Sequence, residues 1–173
     1  MNTSQIAAVL KTLPFTKSKF KGVFPSDRLP TKIKQYPAAL VANVDPHDKP
    51  GSHWCAFYID EHGQGEFFDS NGQAPDRYSM EFKQFLDRHC PTWTYNTKQL
   101  QSLGSNVCGH YCLYYLINRC QNISLDMIVS RFSRNSRLND SLVYQFIVKH
   151  FGYIIRRVKH IVSLQLSTNK QHI

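Results

Sequence analysis

Residues 52–70 read SHWCAFYIDEHGQGEFFDS. WCAFYI sends successive side chains to opposite faces, EFF resumes after the short glycine-containing linker EHGQG, and the pattern predicts an antiparallel hairpin over 53–60 and 66–70. His53 begins the first strand and Asp69 ends the second. In an antiparallel pair the start of one strand and the end of the next share an edge. Topology alone therefore sets an imidazole beside a carboxylate.

Upstream, AALVANV (38–44) is a further apolar run, separated from the hairpin by the turn-rich DPHDKPGS. The segment 16–35 is basic and punctuated by Gly22, Pro25 and Pro30, which predicts an irregular surface stretch with one short strand at GVF. The opening SQIAAVLKTLP places Ile6, Val9, Leu10 and Leu13 at helical spacing, with Ser4 as N-cap and Pro14 as the stop. Downstream, 76–89 carries Tyr78, Phe82, Phe85 and Leu86 on one helical stripe, and TWTYNTKQLQ (92–101) reads as a strand. A buried central helix is expected from Cys108 through VCGHYCLYYLINRC. Two more helices follow at 124–131 and 140–151, the latter with Leu142, Phe146 and Ile147 as its face. The basic C-terminal segment 153–173 fits a strand, a helix or a loose tail equally. No repeat or linker divides the chain, so 1–173 is expected to be a single domain. The fold class is α+β, with a central helix bearing Cys108 packed on a mostly antiparallel sheet bearing His53 and Asp69.

A chain of 173 residues buries a core without staples. Lys and Arg number 21 against 12 Asp and Glu, a net +9, which favours an acidic partner or a polyanion. No run of about 18 apolar residues appears, and the N-terminus lacks a basic start with an apolar core, so a soluble intracellular protein without membrane partners is expected. The five cysteines form an odd set without a CxxC pair, which predicts free thiols. Cys108, Cys112 and His110 do not make a zinc set, because 108 and 112 share a helix face while 110 points away. No metal is expected.

Taken singly, Cys108 reads as a small buried residue, His53 as a strand-end histidine and Asp69 as a turn residue before Asn71-Gly72. Together they have another meaning. A nucleophilic cysteine needs its thiolate, which a helix N-terminus and a neighbouring imidazole favour. Asp69 orients His53, and Gln101, seven residues before the thiol, supplies an amide donor for an oxyanion.

In order and spacing, SHWCAFYID, FFDS and QSLGSNVCG resemble the adenovirus-type cysteine proteases and the related ubiquitin-like-protein (SUMO-type) proteases. The resemblance covers about 20–115. It implies His53 as base, Asp69 as orienting acid, Cys108 as nucleophile and Gln101 in the oxyanion hole, within an adenain/ubiquitin-like-protease fold. Trp54 and Gly109 are candidates for the substrate cleft. The resemblance also implies cleavage after small residues, Gly above all, with capsid precursors of a virus or mobile element as substrates, in a host nucleus or virion. Removal of ubiquitin-like modifiers stays open beside it, as does a silent DNA-binding relic of the fold. Cys90, eighteen residues before Cys108, matches a cysteine that pairs with an activating viral peptide in adenoviral enzymes. Those enzymes are also activated by DNA, which a net +9 would suit. The chemistry itself requires no cofactor, and a monomer is expected.

Overall fold

The computed structural model describes the backbone of residues 1–169 and side chains as far as Ile161. Five strands form one sheet in the order β1-β2-β3-β4-β5: β1 Phe20–Pro25, β2 Ala38–Asn43, β3 Trp54–Ile59, β4 Gly65–Phe68 and β5 Trp93–Tyr95. The hairpin is present, with Ala56 opposite Phe68 and Ile59 opposite Gly65. The sheet is antiparallel through β2, β3 and β4, and a parallel strand is added at each edge.

Helices cover both faces. On one side α4, Cys108–Arg119, lies under the sheet with α1 (Thr3–Thr12), α5 (Leu125–Ser130) and α6 (Ser136–Asn169) around it. On the other, α3 (Met80–His89) seals a second core through Phe82, Phe85 and Leu86. The two-residue period of β3 divides its side chains between these cores. Ala56 and Tyr58 face the first, and Cys55, Phe57 and Ile59 face the second. With both faces covered, β2 is apolar almost throughout.

Several element ends differ from the sequence reading. The first helix is capped by Asn2, not Ser4. Asn2 Oδ1 accepts from Gln5 N at 3.0 Å, and Gln5 Oε1 accepts from Asn2 N at 3.0 Å, a reciprocal box that Ser4 lies inside. Pro14 ends that helix but also opens α2, Pro14–Lys17, since proline suits a first helical position. The helix predicted from 76 starts at Met80, with Ser79 as cap and a 3₁₀ turn at Pro75–Arg77 before it. The face of α6 that meets the core is Val143, Ile147 and Phe151, while Leu142 is 38% exposed. The segment beginning at 153 continues α6 as a helix to Asn169, and 170–173 lie outside the described residues. None of the helices among the described residues is long and apolar enough to cross a membrane.

Candidate active site

The hairpin places His53 just before β3 and Asp69 just after β4, and His53 Nε2 donates to Asp69 Oδ1 at 2.6 Å. Asp69 is fully buried, so its charge needs partners. Its second oxygen accepts from Gln73 N at 2.8 Å and from the Tyr78 hydroxyl at 3.0 Å. Asn96 clamps its backbone from both sides, accepting from Asp69 N at 2.9 Å and donating to Asp69 O at 2.7 Å. The turn after Asp69 needs Gly72 at φ +71°, where a Cβ would sit 2.7 Å from the Lys98 backbone.

Cys108 enters from the other layer as the first residue of α4. The residue before it, Val107, offers no side-chain cap; its carbonyl takes the His110 N–H at 2.9 Å, which leaves the Cys108 and Gly109 amides for the sulfur and for whatever binds there. Burial opposes a thiolate at Cys108. The hydrogen bond and charge of His53, with the backbone N–H groups of Trp54 and Gly109, outweigh it and hold the thiol below its ordinary range. At His53 burial opposes the imidazolium, yet Asp69 and Cys108 together lift it to about 9. With Nε2 engaged by Asp69, Nδ1 is the nitrogen left to the sulfur. Both shifts favour a thiolate–imidazolium pair at neutral pH.

The other four cysteines have the opposite character. Burial pushes Cys55 and Cys112 well above the thiol range, and Cys90 and Cys120 up to about 11. Cys90, the expected partner of an activating peptide, is only 5% exposed and packs where β4 meets β5, against Gly65. All five thiols are free.

Gln101 is 4% exposed and is drawn to the end of β4, where Ser70 O accepts from its backbone N–H at 3.0 Å. The Ser70 hydroxyl donates to Gln101 Oε1 at 2.7 Å, and one amide hydrogen of Gln101 goes to Ser105 O at 2.7 Å. With its oxygen occupied by a donor, the amide has one orientation and one hydrogen left over. Trp54 lines a cleft of about 330 Å³ at one end of the site, with its indole N–H donating to Met1 O at 3.2 Å. Gly109 has a different surrounding from the expected one. A Cβ there would meet Met1 at 3.2 Å and Trp54 at 3.4 Å, so the space it leaves is filled by the chain itself. His53 and Gln101 line a separate cleft of about 440 Å³.

A thiol protease of Acanthamoeba polyphaga mimivirus, so named provisionally, is 36% identical over 100 residues, 53% of this chain and 33% of that protein. The cysteine protease of African swine fever virus, named a SUMO-1 cysteine protease in other isolates, is 30% identical over 115 residues, 61% of this chain and 40% of that protein. The chain thus spans a third to two-fifths of the curated relatives it matches. The central domain of an uncharacterized protein from Legionella pneumophila superposes with a TM-score of 0.56 at 10% identity, over 92% of this chain and 98% of that one, a likeness of fold. No protein-family model matches.

The sequence missed what supports the triad. Tyr78 was expected in an apolar stripe, yet its hydroxyl reaches Asp69 and its ring lies 5.3 Å from that of His53. Ser70 and Asn96 gave no sign, because their partners lie 31 and 27 residues away. A further group, His53, Cys55 and Asp69, brings ligand-type atoms within 4.8 Å of one another. The imidazole and carboxylate are already committed to each other, and burial keeps Cys55 a thiol, so these residues do not fit a metal.

Proposed function

We propose that this chain is a cysteine endopeptidase in which His53, Asp69 and Cys108 act as triad and Gln101 completes the oxyanion hole. The observation that carries the reading is the interaction of an Asp69-bound imidazole with a thiol at a helix start, on elements 55 residues apart between His53 and Cys108. The viral thiol and cysteine proteases similar to the chain support it.

The Cys108 thiolate attacks the carbonyl carbon of a peptide bond, and the electron pair moves to oxygen. The Cys108 backbone N–H and the free amide hydrogen of Gln101 stabilise that oxyanion. As the intermediate collapses, imidazolium His53 gives its proton to the leaving amine and an acyl-enzyme remains. Neutral His53 then takes a proton from water, the hydroxide oxygen bonds to the acyl carbon, and the sulfur leaves as thiolate. Imidazolium and thiolate are restored, with Asp69 holding the ring throughout. Small residues before the cut, Gly above all, and a role in processing viral precursors follow from the resemblance.

A second reading, removal of ubiquitin-like modifiers, is favoured by the SUMO-1 protease name of a relative. One experiment addresses both. A Gly-Gly peptide vinyl sulfone should label Cys108 in the wild type and not in His53→Ala. Preferential cleavage of Gly-X-Gly peptides selects the endopeptidase, and preferential cleavage of a modifier ending in Gly-Gly selects the deconjugase. DNA bound without any labelling would overturn both readings and support the relic.

Polyanion binding has separate support: after Asp140 the chain has no acidic residue, and Lys149, Arg156, Arg157 and Lys159 of α6 are exposed. If three of them meet phosphates, log affinity for duplex DNA should fall against log salt with a slope of roughly −3. A salt-independent titration would remove DNA from the account.

A further inference from the structure

The cleft beside His53 does not end at the triad. Its wall at 101–105 is shared, through Gln99, Ser102 and Leu103, with a second hollow of about 400 Å³ whose far rim is Arg134 and Arg137. Leu103 stands between the two, 91% exposed, at the tip of a loop turned by Gly104 at φ +74°. Both arginines are exposed, and neither is in an ion pair among the described residues. Of the charged groups around them, Lys98 gives its ammonium to the Phe132 carbonyl, and Arg131 donates to Asn118 Oδ1 at 2.8 Å. The carboxylate here, Asp140, is occupied on its own side by Ser102 N at 3.3 Å and the Tyr111 hydroxyl at 3.0 Å. The cleft at Trp54 is mixed by contrast, lined by Asp45 as well as His47 and Lys49.

We propose that the His53 cleft continues over Leu103 onto Arg134 and Arg137 and takes an acidic segment of the protein substrate, several residues from the bond that is cut. The assignment rests on the peptidase reading and adds a substrate class to it. Continuity with the reacting groups makes the surface part of substrate binding, and unopposed guanidinium groups select carboxylates, which they can grip with two hydrogen bonds. Leu103 adds an apolar contact at the crossing. Because the Trp54 cleft has no such excess of one sign, the acidic preference should fall on one side of the cut only.

The test is a peptide library with a fixed Gly-Gly bond and randomised charge at the second to sixth positions on either side, products being read by mass spectrometry. With two exposed pairs each worth about 0.2–1 kcal/mol, Asp and Glu should be enriched roughly two- to thirtyfold on one side at low salt. High salt should shrink the enrichment. In the Arg134→Glu/Arg137→Glu variant, Lys and Arg should replace them. Cleavage without charge preference, or a preference that the reversal leaves in place, overturns the assignment and leaves the peptidase standing. If no peptide is cleaved and Cys108 alkylates no faster in the wild type than in His53→Ala, the peptidase reading falls and takes this assignment with it.

Discussion

At the scale of single residues, the carboxylate–imidazole–thiol chain sets which form of sulfur exists at a given pH. Asp69 fixes one ring nitrogen at 2.6 Å, and His53 in turn lowers the Cys108 thiol. Since only the thiolate is alkylated and His53 lowers the thiol, wild-type Cys108 should react with iodoacetamide faster than the His53→Ala variant below pH 9 and keep more of its rate as the pH falls. In His53→Ala the thiol loses its charged partner while burial remains, so its pKa rises. The rate should then drop roughly tenfold per pH unit below that new value, and equal profiles for the two proteins would contradict the ion pair. A second expectation concerns Tyr78. Replacing it with Phe removes one donor from a buried carboxylate, which should cost about 1.5–3 kcal/mol in urea unfolding and lower kcat more than it raises KM. Unchanged stability would mean that Gln73 and His53 suffice to hold Asp69. The grouping of Asp69, His53 and Cys108 was legible because these residues sit at the ends of periodic segments in a fixed order. Tyr78 was not, because a phenol on an apolar stripe looks the same whether its hydroxyl meets water or a carboxylate.

At the scale of elements, the helix that begins with Cys108 must keep its register on the sheet for the sulfur to stay in reach of His53. One polar knot fixes it. Glu66 of β4 accepts from Tyr115 Oη at 2.6 Å and from Arg119 Nε at 2.9 Å, and that guanidinium also lies 4.4 Å over the Tyr58 ring. The ion pair is largely buried, with side chains about 15% exposed at each partner. Glu66→Ala should therefore destabilise by about 3 kcal/mol, since it strands a buried guanidinium and a buried hydroxyl. Activity per folded molecule should fall as well; a loss smaller than about 1 kcal/mol would show that apolar packing alone sets the register. The helices themselves were legible from 3.6-residue stripes, as the burial of Phe82, Phe85 and Leu86 in α3 illustrates. Their ends were less so, because caps such as Asn2 depend on which of several polar residues turns back. Continuation of α6 past Phe151 was hidden for another reason. Between Gly152 and Ile161 only Gly152 is buried, and Ile154 and Ile155 pack on the core in part, so no wide apolar face marks the period there.

At the scale of the whole molecule, the same two pKa shifts should leave opposite marks on stability and on activity. Consider His53 by itself: its ordinary value of 6.5 is raised to about 9 on folding, so its stabilisation is complete below 6.5 and is lost as pH rises through 9. Cys108 by itself is an acid lowered from 9.0, so its stabilisation is complete above 9.0 and is lost as pH falls through its folded value. Wherever folded Cys108 is already a thiolate between the two unfolded values, 6.5 and 9.0, the folded protein carries one proton on the imidazole, and the unfolded chain carries one on the thiol. The proton numbers of this pair match and its two slopes cancel, so His53 and Cys108 together should add no slope to the urea midpoint there; the other four cysteines, whose thiols burial raises, pull it down only as the pH nears 9. Activity follows a different rule, because it needs the imidazolium to protonate the leaving amine, and it should decline through about pH 9 while the fold persists. Cys108→Ser removes one side of the cancellation. If Asp69 still raises His53, stability of that variant should slope downward from about pH 6.5, by a total of about 1–3 kcal/mol by pH 9. A wild type with that same slope would show that Cys108 enters the fold as a neutral thiol, and the ion pair would have to form only once substrate is bound.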